Sequence, residues 1–240
     1  SRELDISLMG NKILGGGGYD QYLEDIRTLW LIHWKLCSNY DYPIYTWHFM
    51  FNFWHRNDFT LSEARVFLME ESGRLEGKPS RATIENQLHT FLHTYVPTKG
   101  SKQQVAEDNL DSPLVELDLI QKIGERTMVD SNRTESVYAF KVADKPEINA
   151  GLFVYSLTDY WNRCYPDEQT LSFRNIAMGE GSPGQVFKLS EQDIRSRLES
   201  LDRDTAEALS FQESASIQQV VRKRVLAEEE SIDLIYEVAA

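Results

Sequence analysis

Apolar residues recur almost without interruption along two early stretches of the chain, residues 22–37 and 42–54. Both stretches are rich in aromatic side chains, and a helix that is hydrophobic on every side is normally buried in a core. The first stretch therefore predicts a core helix, in which we expect His33 to be a buried, hydrogen-bonded histidine. We expect the two aromatic-rich helices to pack together.

Four consecutive glycines at positions 15–18 precede the first of these helices. Glycine-rich loops before a helix often bind phosphate, but such loops usually lead into a lysine followed by a hydroxyl residue. Here Asp20, Glu24 and Asp25 follow instead, and their negative charges would repel a phosphate. Asp20 is well placed to cap the helix, so we interpret the glycines as a flexible turn. No nucleotide or organic cofactor is predicted.

After residue 58 the pattern changes to amphipathic helices with clear start signals. Thr60 and Glu63 have the spacing of a capping box that opens a helix to about Ser72. Ser80 caps a second helix, whose apolar residues recur with the period of a helix buried on one side. The opposite face begins with Arg81 and carries neutral side chains of the types that read base edges, namely Thr83, Asn86, Gln87 and Thr90.

Three short runs of strand-forming residues follow a polar linker, at positions 119–123, 126–130 and 136–142. They are separated by Gly124 and by residues 131–134. Two helices followed by a β-hairpin is the order of a winged helix-turn-helix. The chain is therefore predicted to be mainly α with a small antiparallel β portion, as a helical core plus a winged helix-turn-helix-like region. Such a region can bind DNA or serve protein contacts, and both interpretations are kept.

The last third of the chain predicts further helices, beginning with an apolar one at residues 148–161, while residues 185–189 are expected to be extended. Bases at 222–224 beside acids at 228–230 are interpreted as a solvated, self-neutralising face. We predict three parts. They are an aromatic-rich helical segment at 1–57, the winged region at 58–145, and a C-terminal helical region with an acidic tail at 146–240.

Charge and composition narrow the possible functions. The 240-residue chain has a net charge of −13, which disfavours nonspecific binding to nucleic acid or membranes. Residues 74–102 form a locally basic stretch with five bases and two acids. The predicted DNA-binding residues are therefore Arg74, Lys78, Arg81, Thr83, Asn86, Gln87, Thr90, Lys99 and Lys102. No apolar run approaches a membrane span, and two distant cysteines suit a reducing cytoplasm.

Several segments, taken together, resemble a conserved bacterial family. They lie at 22–25, 28–31 and 33–35 near the start, at 107–114 with 117 and 119–120 in the middle, and at 159–161 and 181–189 near the end. In this order they are similar to the domain of SspB-like proteins, and the resemblance runs from about Leu4 to Leu201. Members of that family are expected to carry a further segment before the point where this chain begins.

The resemblance implies a DNA-nicking component of a single-stranded DNA phosphorothioate (sulfur) modification system that defends bacteria against phage. The implied partners are DNA, an ATPase, a sulfotransfer enzyme and a cysteine desulfurase, with no membrane involved. Two alternatives stay open, because composition does not separate them from a nickase. One is a non-catalytic DNA-binding or scaffolding subunit of the same complex, and the other is a protein-interaction module.

Nicking of a phosphodiester commonly relies on acidic ligands that hold Mg²⁺ or Mn²⁺. Two acidic clusters are therefore candidates for a metal-dependent nicking endonuclease, and the predicted catalytic residues are Glu24, Asp25, Glu107 and Asp108. Each cluster also has a structural interpretation, as Asp20 and Asp111 are both placed to cap helices. His89 and His93 have a spacing that suits zinc, but no third ligand accompanies them.

Overall fold

The computed structural model describes residues 6–39, 44–73, 79–97, 112–128 and 133–237. Its α-helices, in chain order, are α1 (Leu8–Leu14), α2 (Ile26–Ser38), α3 (Tyr45–Asn52), α4 (Leu61–Ser72), α5 (Arg81–Tyr95), α6 (Ala150–Cys164), α7 (Phe173–Met178), α8 (Pro183–Phe187), α9 (Glu191–Glu199), α10 (Leu201–Asp204) and α11 (Glu228–Tyr236). Its strands are β1 (Asp58–Phe59), β2 (Ile120–Thr127), β3 (Thr134–Phe140), β4 (Thr170–Ser172), β5 (Leu209–Glu213) and β6 (Gln218–Arg222). A short 3-10 helix spans Pro113–Leu117. The predicted mainly α fold with a small antiparallel β portion is confirmed.

The chain divides into two compact units. Ser1–Ser38 and Ala143–Ala240 form one, called here the discontinuous unit, and Asn39–Val142 form the other, called the inserted unit. This division differs from the three predicted parts at 1–57, 58–145 and 146–240. The reason is that α2 packs with α6 and α8, which are distant in sequence, so the two aromatic-rich helices α2 and α3 fall in different units.

In the inserted unit, α3 is followed by β1, α4, α5 and the antiparallel hairpin of β2 and β3. Strand β3 lies at the centre of the sheet, with β1 on one side and β2 on the other. Two helices followed by a hairpin is the order expected from the sequence. Gly124, which was expected to separate two strands, lies instead at a β-bulge within β2, because an irregular register after Lys122 lets one strand continue.

Capping fixes the starts of the two helices before the hairpin. Thr60 Oγ1 accepts a hydrogen bond from the Glu63 N–H, and Glu63 Oε2 accepts one from the Thr60 N–H, so the predicted capping box is formed. Ser80 Oγ accepts a hydrogen bond from the Thr83 N–H at 3.1 Å and caps α5. Both helix starts therefore lie where local sequence signals place them.

Aromatic rings form the core of the inserted unit. Phe51 of α3 contacts Phe91 and Tyr95 of α5 at ring-centroid distances of 5.8 and 5.4 Å, and it contacts Phe140 of β3 at 5.1 Å. Trp47 adds an edge-to-face contact with Phe91. Since these contacts hold one side of α5 against α3 and the sheet, the opposite side of α5 faces outward.

In the discontinuous unit, α6 is the central helix and packs against α2, α8, α10 and α11. Phe187 of α8 contacts Trp30 and Trp34 of α2 at 5.7 and 5.3 Å between ring centroids. Strands β4, β6 and β5 form a second antiparallel sheet in that order. No helix in the described ranges has both the length and the apolar composition that crossing a membrane requires.

Two local expectations for this unit are corrected, and one feature of it was not expected. Residues 185–189 were expected to be extended, but 185–187 lie in helix α8, for which Ser182 and Pro183 provide the N-cap and first residue. Leu189, beyond the helix, forms a β-bridge with Ala143. The second sheet was not expected at all. Of the bases at 222–224, Arg224 does pair with Glu230, whereas Arg222 is buried and its guanidinium lies 4.7 Å from the centre of the Trp161 ring.

We predict that Gly151→Ala strongly destabilises the discontinuous unit. A Cβ at this position would lie 1.9 Å from the carbonyl oxygen of Leu234, so α6 and α11 would have to separate. The expected loss is about 3 kcal/mol or more of unfolding free energy, at the upper end for overpacked cores. Urea unfolding would measure it. Gly16→Ala is the matched control, because a Cβ there meets nothing within 4 Å, and an equal loss in both variants would contradict the prediction.

Candidate nucleic-acid interface

Helix α5 presents the side-chain types predicted to contact DNA on its outward face. Thr83, Asn86 and Thr90 are exposed, while Ile84, Leu88 and Phe91 are buried on the opposite side. Gln87 lies at the edge of the exposed face, where its side-chain oxygen accepts a hydrogen bond from the Thr46 hydroxyl at 3.0 Å. The structure therefore brings four of the predicted DNA-binding residues, Thr83, Asn86, Gln87 and Thr90, to one helix.

Arg81 is the first residue of α5, and its side chain is 64% exposed. Its Nε lies 3.0 Å from Oε1 of Glu85, one turn further along the helix. A guanidinium nitrogen of Arg65, on α4, lies 3.1 Å from the same oxygen. The hydrogen bonds from Arg81 and then Arg65 lower the pKa of the Glu85 carboxyl.

A groove of about 310 Å³ opens beside this charge cluster. Its walls come from α4, α5 and β3, and they include Arg65, Glu85, His89, Glu135 and Tyr138. The groove is therefore amphipathic, with charged groups of both signs and an aromatic ring. Its position next to the exposed face of α5 makes it part of the same surface of the inserted unit.

Most cations described on the hairpin side of the inserted unit are paired with carboxylates. Arg126 lies 2.9 Å from Asp58 and 3.0 Å from Glu63. Lys122 pairs with Glu125 at 2.8 Å. Such pairs leave little net positive charge on the hairpin.

Six further predicted residues, namely Arg74, Lys78, Lys99, Lys102, Glu107 and Asp108, lie outside the described residues.

The acidic cluster near α2 has structural partners. Asp20 is buried, and its carboxylate accepts hydrogen bonds from the N–H groups of Glu24 and Asp25. Asp25 in turn holds Arg27 through contacts of 2.6–3.0 Å, and these lower the pKa of the Asp25 carboxyl. Asp20 was expected to cap the helix, but α2 begins at Ile26 rather than at residue 22, so Asp20 closes a turn before the helix. The Asp25 carboxylate instead accepts a hydrogen bond from the N–H of Arg27, in the first turn of α2.

The described residues do not gather a metal-binding set. Within the described ranges, no three His, Cys, Asp or Glu side chains are grouped so that they could hold a metal ion. Asp25 is engaged by Arg27, and His89 and His93 stand on the exposed side of α5. Glu24 and Asp25 are therefore not part of such a group among the described residues.

The structure also joins residues that the sequence left unconnected. Trp34 Nε1 and Lys35 Nζ donate hydrogen bonds to the two carboxylate oxygens of Asp159, at 2.8 and 3.1 Å. His33 Nε2–H donates to the backbone carbonyl of Val186 at 2.9 Å. Three of the segments that carry the family resemblance, 33–35, 159–161 and 181–189, therefore meet in one part of the discontinuous unit.

Arg65 and Glu85 were not among the predicted site residues. The pairing of Arg81 with Glu85 has a signal in the sequence, because residues four apart on a helix are neighbours. The contact of Arg65 with Glu85 has no such signal in the sequence, since it depends on the tertiary packing of α4 against α5.

These observations define a class of protein, namely a mainly α chain with two small antiparallel sheets. One of the sheets lies in the same unit as a pair of capped helices. The chain belongs to the family described as "Protein of unknown function (DUF4007)", whose model matches residues 1–236. Two crystal structures share its fold, one described as SspB and the other as magnesium ion-bound SspB. Each has a TM-score of 0.76 and 24% sequence identity to this chain.

The predicted resemblance to SspB-like proteins is thereby confirmed. The matches cover 95% of this chain and 63% of the SspB chain, so the chain spans less than two thirds of that protein's length. No curated protein matches the sequence.

We predict that burial of His33 makes the stability of the discontinuous unit depend on pH. Burial lowers the pKa of His33 to about 3, from an ordinary value of 6.5. The unfolded chain then binds a proton more readily, so this contribution to stability is complete above pH 6.5 and is lost as the pH falls from 6.5 towards 3. At pH 5 the loss is about 2 kcal/mol, at about 1.4 kcal/mol per pH unit.

Urea unfolding at pH 7 and pH 5 measures this effect in the wild type and in His33→Gln. The variant is expected to be less stable at pH 7 but to lose about 2 kcal/mol less between the two pH values. His89→Gln, which changes an exposed histidine, is expected to retain the wild-type dependence. An unchanged pH dependence in His33→Gln would contradict the assignment.

Proposed function

We propose that this chain is a DNA-binding component of an SspB-like DNA phosphorothioation system, and that α5 is its DNA-contacting helix. The observations that carry the proposal are the exposed face of α5 with Thr83, Asn86 and Thr90, and the exposed Arg81 at the start of the same helix. Arginine contacts phosphates and guanine, and asparagine and threonine are regular partners of base edges. The buried side of the same helix is held by aromatic rings, which gives this face a fixed orientation within its unit.

The order of elements in the inserted unit supports this role. A helix, a short strand, two helices and an antiparallel hairpin follow one another, which is the order of a winged helix-turn-helix. In helix-turn-helix proteins the second helix of the pair lies in the major groove, with its N-terminal residues on the bases. By that analogy α5 is the recognition helix and the β2–β3 hairpin is the wing.

The proposal extends to a more specific role, the nicking of DNA within antiphage defence. The implied partners are those of a phosphorothioation complex, namely an ATPase, a sulfotransfer enzyme and a cysteine desulfurase. The described acidic residues do not form a metal site, so we assign them no catalytic step. Glu107 and Asp108 are the acidic candidates for a nicking role, and Mg²⁺ or Mn²⁺ is the proposed ion, by analogy with the magnesium ion-bound form of SspB.

Two observations favour a second function, that of a scaffolding subunit or protein-interaction module. The net charge is −13, and most of the cations described on the hairpin are paired with carboxylates. A surface of balanced charges suits contacts with other proteins at least as well as contacts with DNA. In this alternative the groove beside α5 would meet another subunit.

We expect Arg81→Ala to weaken DNA binding by about 5- to 10-fold at low salt, because one phosphate contact is lost. The slope of log affinity against log salt concentration should become shallower by about 0.9. Fluorescence anisotropy with a labelled duplex at several salt concentrations measures both values. Arg224→Ala is the matched control, since it removes another exposed, carboxylate-paired arginine in the other unit. Equal affinities for the two variants would remove α5 from the DNA interface.

A nicking assay on supercoiled plasmid separates the catalytic function from the binding function. The wild type, Glu24→Ala and Asp108→Ala would be compared with Mg²⁺, with Mn²⁺ and with EDTA. We expect open-circular product that EDTA abolishes, that Asp108→Ala loses and that Glu24→Ala retains. DNA binding without any product would instead favour the non-catalytic subunit.

A further inference from the structure

Two arginines from different helices converge on a single oxygen atom. Arg65 of α4 and Arg81 of α5 both donate hydrogen bonds to Oε1 of Glu85, at 3.1 and 3.0 Å. Guanidinium groups have a donor geometry that matches carboxylate and phosphate oxygens alike. The arrangement is thus an anion-binding site, and its occupant in this structure is the protein's own carboxylate.

The surroundings would allow a larger anion to reach this site. The side chains of Arg65, Arg81 and Glu85 are 32%, 64% and 39% exposed. The groove of about 310 Å³ beside them includes Arg65 and Glu85 in its walls. Both guanidinium groups can therefore be approached from solvent, and the space beside them is larger than a phosphate group needs.

The fold of α5 does not depend on the ion pair. Ser80 caps the helix, and Phe91 and Tyr95 anchor its buried side. Exposed ion pairs contribute little to stability and are weakened by salt. A phosphate diester can hence replace the carboxylate as the partner of the two arginines without loss of structure.

We propose that Arg65 and Arg81 form a phosphate-binding site of the DNA interface and that the Glu85 carboxylate occupies this site in the free protein. Glu85 then sets the affinity for DNA, because it competes with the backbone phosphate for both guanidinium groups. This inference rests on the proposed DNA-binding function. It adds an arginine from α4 to the interface and identifies a residue of the chain that restrains binding.

The first test is the affinity of Glu85→Gln for a labelled duplex, measured against salt concentration. The variant keeps the size of the side chain and removes its charge. We expect binding about 5- to 10-fold tighter at low salt, with a slope of log affinity against log salt that is steeper by about 0.9. Glu70→Gln is the matched control, because it removes the same charge from an exposed position on α4, and we expect it to change affinity much less.

Combining Glu85→Gln with the loss of both arginines separates competition for the guanidinium groups from general repulsion between Glu85 and DNA. If Glu85 acts by holding the arginines, Glu85→Gln should bring almost no gain in an Arg65→Ala, Arg81→Ala background. A gain that persists in that background would overturn the inference. Circular dichroism and thermal unfolding of each variant would confirm that it is folded.

The outcomes also distinguish this inference from the proposed function. If the wild type binds DNA and Arg81→Ala binds more weakly, yet Glu85→Gln matches Glu70→Gln, then the interface stands and the competition is rejected. If the wild type does not bind DNA at low salt and neither arginine matters, the proposed function fails and the inference fails with it.

Discussion

The first N–H groups of a helix have no partners within it, and this constraint shapes most of the molecule. In eight of the described helices, the side chain of the residue just before the helix accepts a hydrogen bond from an N–H of the first turn. The accepting residues are Ser7, Thr60, Ser80, Ser112, Asn149, Ser172, Ser182 and Ser190. Several of these helices have only five to nine residues, too few to be stable in isolation. Caps and core contacts together fix where they begin. Asp25 follows the same rule, because its carboxylate accepts a hydrogen bond from the N–H of Arg27 in the first turn of α2.

The same constraint helps to explain the charges on α5. Arg81 is the first residue of this helix, so its positive charge lies at the positive end of the helix dipole, where a cation is unfavourable. Glu85 lies one turn later and offsets that charge, and Arg65 of the neighbouring helix shares the same carboxylate oxygen. One carboxylate therefore joins α4 to α5 and also governs how available the two arginines are to another anion. Local helix electrostatics and the proposed interface thus depend on the same three side chains.

Local signals predicted much of the inserted unit, and long-range packing explains what was missed. The caps at Thr60 and Ser80 and the apolar period of α5 are properties of neighbouring residues, so they could be read from the sequence. The packing of α2 with α6, and the contact of Arg65 with Glu85, join residues that are distant in sequence and left no such signal. Helix α8 is an intermediate case, since Ser182 and Pro183 do signal a helix start. Its Gly184 has a packing role instead, because a Cβ there would lie 2.3 Å from the Ala177 carbonyl oxygen.

The total charge of −13 is a poor guide to the behaviour of the α5 surface. At physiological ionic strength, charges separated by more than about 8 Å are largely screened from one another. DNA approaching α5 would therefore respond mainly to the side chains beside it, where the charges of Arg65, Arg81, Glu85 and Glu135 sum to zero. Loss of the Glu85 carboxylate would leave one net positive charge there, although the charge of the whole chain would hardly change. For this reason an acidic chain is compatible with a DNA-binding face, and the pairing of a few charges decides whether that face attracts phosphate.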